Sequence, residues 1–125
     1  MRDVSKDAGE LVVCTTCRHP GSDPAAPDAL RDGERLSAAL SARGIPHQRQ
    51  RCLAACEHGC AVVLRGTARW SFVQGGLHPE RDLEALLAML ELWRQAPDGL
   101  VPWRSRPDII RHNTITRIPP METTP

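Results

Sequence analysis

The chain has 125 residues, 41% of them hydrophobic, with 16 basic and 15 acidic residues and a formal charge of +1. That length predicts a single domain with a modest core, and the interleaved charges argue against a nucleic-acid binder, which would carry a basic patch or run. The longest apolar stretches, near residues 83–92 and 61–64, fall short of the roughly 20 residues that cross a bilayer. The first ten residues lack the apolar stretch of a secretory signal, so a cytoplasmic location without a membrane partner is expected.

In chain order, residues 1–9 are polar and are expected to be a disordered N-terminus. Leu11, Val12 and Val13 form a β-rich run ending at Cys14. Residues 15–27 hold Pro20, Gly21, Ser22, Asp23, Pro24 and Pro27, a loop by composition. A helix is predicted from an Asp28 N-cap to about Arg43, with Leu30, Leu36, Ala39 and Leu40 on its apolar face. Gly44 suits a left-handed C-cap and Pro46 stops continuation. Residues 47–53 read as a polar second strand beside the first, joined by a β-α-β crossover. Residues 61–64 and 69–73 read as a hairpin with Gly66 in its turn. Pro79 opens a second helix to about Gln95, with Leu83, Leu86, Leu87, Leu90 and Trp93 as its buried stripe. Trp70 and Phe72 alternate on the fourth strand, as core or half-buried residues. Residues 97–125 are proline-rich and are expected to form an extended C-terminal tail. The order β-α-β-β-β-α in residues 10–96 is an α/β plan of thioredoxin-like type.

Five cysteines are gathered into two short segments. Cys14 and Cys17 form Cys-Thr-Thr-Cys at the end of the first strand. Cys52, Cys56 and Cys60 follow the second. A reducing compartment and an odd count both argue against a disulfide framework. In a β-α-β unit the ends of two parallel strands lie at one sheet edge, so the two groups should converge in space. Thiolates suit Zn, Cu(I) and iron–sulfur clusters, and four of them close a zinc site or hold a cluster. Two other readings of grouped cysteines exist. Buried reduced cysteines pack well as filler, but filler is not grouped in this way. A thioredoxin-type dithiol opens a helix whose dipole supports the thiolate, whereas here a loop follows Cys17 and that support is expected to be missing.

The stretch Val12-Val13-Cys14-Thr15-Thr16-Cys17-Arg18 with Gly21-Ser22, and the stretch from Cys52 to Val62, resemble the two halves of thioredoxin-like [2Fe–2S] ferredoxins. More closely, residues 11–120 are similar to the DUF1636 family of small bacterial metal-binding proteins. Its members share the Cys-Thr-Thr-Cys start, the Cys-Leu-x-x-Cys-x-x-Gly-Cys centre and an Arg-Ile-Pro-Pro ending, here Arg117 to Pro120. The ferredoxin resemblance implies Cys14, Cys17, Cys52 and Cys56 as cluster ligands, with Cys60 as an alternative. It also implies electron transfer to a redox-protein or enzyme partner, and the DUF1636 resemblance suggests a link to cobalamin or metal metabolism. Alternatives from other classes are a metal-binding accessory protein that delivers or senses Zn, Cu or Co, and a structural zinc module.

Several single residues carry narrower expectations. His19 and His58 could ligate, as histidine does in Rieske centres, or be solvated loop residues. Gly59 either lets the backbone approach the sulfurs or is an ordinary turn glycine. Glu80, Asp82 and Glu84 suit a helix's first turn. Arg49, Arg51, Arg65 and Arg69 suit a solvated sheet edge. Trp93 and Trp103 are expected to pin the second helix and the tail. A homodimer through Ile109, Ile110, Ile115 and Ile118 is weighed against packing of these residues on their own domain. No Ser/His/Asp arrangement, phosphate loop or paired-carboxylate motif is present, so an electron carrier or metal-binding protein is expected rather than an enzyme.

Overall fold

The computed structural model describes residues 9–16, 31–53 and 60–121. Its elements are β1 (Glu10–Cys14), α1 (Asp32–Ala42), β2 (Gln48–Gln50), β3 (Val62–Arg65), β4 (Ser71–Gln74), α2 (Leu83–Gln95), a 3-10 turn (Trp103–Ser105), α3 (Asp108–Asn113) and β5 (Thr114–Ile118). The α/β class expected from the sequence is found, as one five-stranded sheet in the order β2-β1-β3-β4-β5. β1 and β2 are parallel, and the remaining neighbours are antiparallel.

Composition explains the order. β1 is apolar on both faces, with Leu11, Val12, Val13 and Cys14 all buried, and a strand covered on both sides belongs in the middle of a sheet. β2, Gln48-Arg49-Gln50, is short, polar and exposed at all three positions, as an edge strand should be. Parallel pairing of β1 with β2 needs a crossover, and α1 lies in it. The end of α1 is set by Gly44, at φ +72. The Gly44 N–H donates to Ser41 O at 3.0 Å and the Ile45 N–H to Leu40 O at 2.9 Å, the paired bonds of a Schellman cap. His47 then ties the exit of α1 back to the helix. Its Nδ1 lies 2.9 Å from Ile45 O, which can only accept, so Nδ1 donates, and its Nε2 hydrogen-bonds the Ser37 hydroxyl at 2.7 Å.

α2 buries Leu86, Met89, Leu90 and Trp93 at i, i+3, i+4 and i+7. Leu83 and Leu87, expected on the same stripe, pack only partly against the core. Met89, absent from that expectation, is fully buried. Trp93 pins α2 as expected, its Nε1–H donating to Trp70 O at 2.7 Å. Arg69 is not part of a solvated edge. It donates to Trp93 O at 2.8 Å, Ala96 O at 3.0 Å and Arg94 O at 3.2 Å, so its cation closes the carbonyl end of α2, where a positive charge is favoured.

Residues 103–118 differ from a plain extended tail. Ile110 enters the main core and Ile109 packs beside it, which fixes α3. The alternating Thr114-Ile115-Thr116 that follows suits a strand. β5 pairs with β4 in the register Phe72↔Arg117 and Val73↔Thr116. Pro119 and Pro120 lack the N–H a ladder needs. Ile115 and Ile118 stay 38% and 49% exposed on this edge. No helix among the described residues is long and apolar enough to cross a membrane.

Candidate functional site

The sheet brings the described cysteines to one end. Cys14 closes β1 and pairs with Gln50 in the parallel register, so Cys52, two residues further on, leaves the sheet at the same end. β3 runs antiparallel to β1 with Val13 opposite Val62, and the Cys14 N–H donates to Ala61 O at 3.0 Å. Cys60 therefore enters β3 from that end. Cys17 and Cys56, with His19, His58, Gly59 and the expected N-cap Asp28, lie outside the described residues.

The three described side chains are not equivalent. Side chains alternate along a strand, so Cys14 points away from Val13 and from the helix-covered core. It joins a small cluster with Ala61 and Leu53. Its Sγ lies 3.9 Å from Arg51 O, which accepts, and 3.7 Å from Thr16 Oγ1. Cys60 is fully buried and belongs to the main core instead; its φ is +35. Cys52 is exposed. Among the described residues, no three His, Cys, Asp or Glu side chains gather into a group that could hold a metal ion.

The two threonines between Cys14 and Cys17 fasten this end of the sheet. The Thr15 N–H and hydroxyl both donate to Gln50 O, at 2.8 and 3.1 Å. The Thr16 hydroxyl donates to Arg51 O. The ends of β1 and β2 are thereby locked in one register. Sequence reading gave neither threonine a role. The signal was present in two hydroxyls placed where a parallel ladder runs out of backbone partners.

The first turn of α1 also reaches this end. A Cβ on Gly33 would fall 1.9 Å from Cys14 O and 3.0 Å from Thr15 C, so only glycine permits the approach. The sequence predicts no helix-dipole support for the thiolate, because the chain after Cys17 reads as a loop. Tertiary packing delivers the helix start that chain order does not. It meets the Cys14 backbone, whereas the thiol projects to the other face. Arg31 adds a bond from its Nη1 to Thr16 O at 3.3 Å.

Beside the threonines is a pocket of about 590 Å³ lined by Thr15, Thr16, Arg31, Glu34, Arg49, Gln50 and Arg51. One Arg49 nitrogen donates to both Glu34 oxygens at 2.7 Å. Among the described residues lining it, three arginines face one carboxylate.

The chain belongs to the DUF1636 family, described as proteins of unknown function, whose family model matches residues 11–120. No curated protein and no solved structure matches it.

Proposed function

We propose that this DUF1636 protein is a thioredoxin-like, ferredoxin-type electron carrier that holds a [2Fe–2S] cluster through Cys14, Cys17, Cys52 and Cys56. The observation that carries the reading is the meeting of three cysteine-bearing segments at one end of the sheet, at the close of β1, after β2 and before β3. The strand order β2-β1-β3-β4, with β3 antiparallel to β1, supports the thioredoxin-like description, and β5 is an addition at its edge.

The donor chemistry fits such a group. Thiolates are soft ligands, and the backbone around Cys14 is held rigidly by Thr15, Thr16 and Gly33. Burial of Cys60 in the main core supports the ligand set without it, and it stands as the alternative. A cluster of this kind carries one electron at a time between partners. The chain's own residues fix the ligands and present Arg31, Arg49 and Arg51 to the surface of an acidic redox partner. A cytoplasmic setting keeps the thiols reduced until they bind metal.

The test is the visible spectrum of anaerobically purified protein, with iron, sulfide, zinc and copper quantified on the same sample. Iron and sulfide in near-equal amounts, with bands that bleach under dithionite, are expected. A colourless protein with stoichiometric zinc or copper, and failed reconstitution with iron and sulfide, would sink the reading in favour of a structural or delivery site.

A further inference from the structure

A second site lies away from the cysteines, on the flank formed by β4, β5 and the segment between α2 and α3. Leu100, Val101, Pro102, Trp103, Arg106 and Arg117 line a pocket of about 470 Å³, within the usual range for small-molecule sites, about 300–1,000 Å³. Arg106 is only 9% exposed. Its Nε–H donates to Val101 O at 3.0 Å. Its guanidinium lies 4.9 Å from the Phe72 ring centroid and 5.8 Å from that of Trp103. Arg117, directly across the ladder from Phe72, stacks 4.8 Å from the Trp70 ring.

Charge is what sets this pocket apart. Arg111, 5.8 Å from the Trp103 ring, has its own acid, Asp108, at 2.7 Å. Arg106 and Arg117 have none among the described residues, and the charge that acts on Arg106 is the like charge of Arg117. Burial first, and then that neighbour, hold Arg106 below the usual arginine value. A largely buried cation held by two rings and one carbonyl, with no acid among the described residues, is one that an anion would stabilise further. The rest of the lining is largely apolar, and Trp103 stands 60% exposed, with indole surface open to contact.

We propose that this pocket binds a small organic oxyanion, a carboxylate or phosphate on an apolar or aromatic body, with Arg106 and Arg117 on the anion and Trp103 against the body. The guanidinium forks match such oxygens in pairs. The site is independent of the cysteine chemistry.

Phenyl phosphate, benzoate, inorganic phosphate and neutral benzamide are titrated into the full chain at low salt, read by calorimetry and by tryptophan fluorescence. Saturable binding of phenyl phosphate or benzoate is expected, and which binds tighter identifies the anion. Arg117→Gln, on an exposed edge strand, should weaken it by about tenfold or more, the loss of a charge-assisted bond. Trp103→Ala should weaken binding and remove most of the fluorescence change. Arg106→Gln should abolish binding, with circular dichroism confirming the fold. No saturable binding of either aromatic anion would overturn the proposal. So would benzamide binding as tightly as benzoate, or Arg117→Gln binding like the wild type. Inorganic phosphate binding as tightly as phenyl phosphate would overturn the assignment of an organic body.

Discussion

The cysteine end of the sheet and its arginine-rich flank are held by different physics. At the cysteine end the strand ends are joined through hydroxyls and backbone, with Arg31, Arg49 and Arg51 around the adjoining pocket. Thr15 and Thr16 donate to the carbonyls of Gln50 and Arg51, and Gly33 lets α1 touch the Cys14 carbonyl. On the flank the polar groups are cations laid on rings: Arg69 at 5.3 Å from Trp93, Arg106 on Phe72 and Arg117 on Trp70. Neutral bonds to backbone carbonyls hold the ends of β1 and β2 in one register. Cation–ring contacts are looser and leave charge available. On the two proposals, one end would hold soft donors and the other would attract an anion.

The largest effect should come from breaking the flank at its anchor. Trp93 is fully buried, and Trp93→Ala should cost about 4 kcal/mol in urea unfolding, with Arg69 losing the ring beneath it. Loss of stability by less than about 1 kcal/mol would mean that the flank is not tied to the core in this way. Gly33→Ala attacks the other end. The added methyl must displace either α1 or the Cys14–Thr15 backbone, and overpacking of this kind costs about 2–3 kcal/mol. Amide exchange should then quicken in residues 11–15 and leave residues 100–106 unchanged; equal quickening in both would erase the contrast. Thr15→Val keeps volume and the N–H bond but removes the hydroxyl bond to Gln50 O, an expected loss of about 1 kcal/mol. If the cysteine end holds a cluster, this variant should also release iron to a chelator faster than the wild type.

Much of the cysteine end was legible in the sequence, and little of the flank was. The β-rich run before Cys14, the glycine-proline stop at Gly44 and Pro46, and the chain order of the elements together place both cysteine segments at one end. Each is a local or topological signal. The flank depends on distant partners. Arg69 caps a helix that ends 26 residues later, at Gln95, and nothing in its neighbourhood marks that role. α3 has six residues, too few for helical periodicity to show. β5 did carry a signal, alternating β-branched residues, but the surrounding prolines masked it. Gln74 is fully buried on Thr114 Oγ1 at 2.8 Å, and it too has a partner only because β5 is there.

α2 spans the two regions, so its ends offer the finest test of how separate they are. Its carbonyl end belongs to Arg69. Its start faces α1 through Glu80, which accepts from Arg35 Nε at 3.1 Å. Asp82 governs that start: its Oδ2 accepts from the His78 N–H at 2.8 Å, and Arg81 lies 3.1 Å away. Burial pushes the Asp82 carboxyl up, but the Arg81 hydrogen bond, the His78 N–H and both neighbouring charges outweigh it and hold the group below the usual carboxylate value. A carboxyl lower in the folded than in the unfolded chain adds stability that is complete above the unfolded value, about 3.9. That stability is lost as pH falls through the folded value. Asp82→Asn should therefore cost about 0.5 kcal/mol near pH 7, with the gap to wild type closing below about pH 4. Urea titrations at pH 7, 5 and 3 would measure it. A gap that stays constant to pH 3 would show that Asp82 acts through shape alone. A gap that closes, with phenyl phosphate binding on the flank unchanged at pH 7, would show that the α1 side of α2 can be loosened without disturbing the arginines.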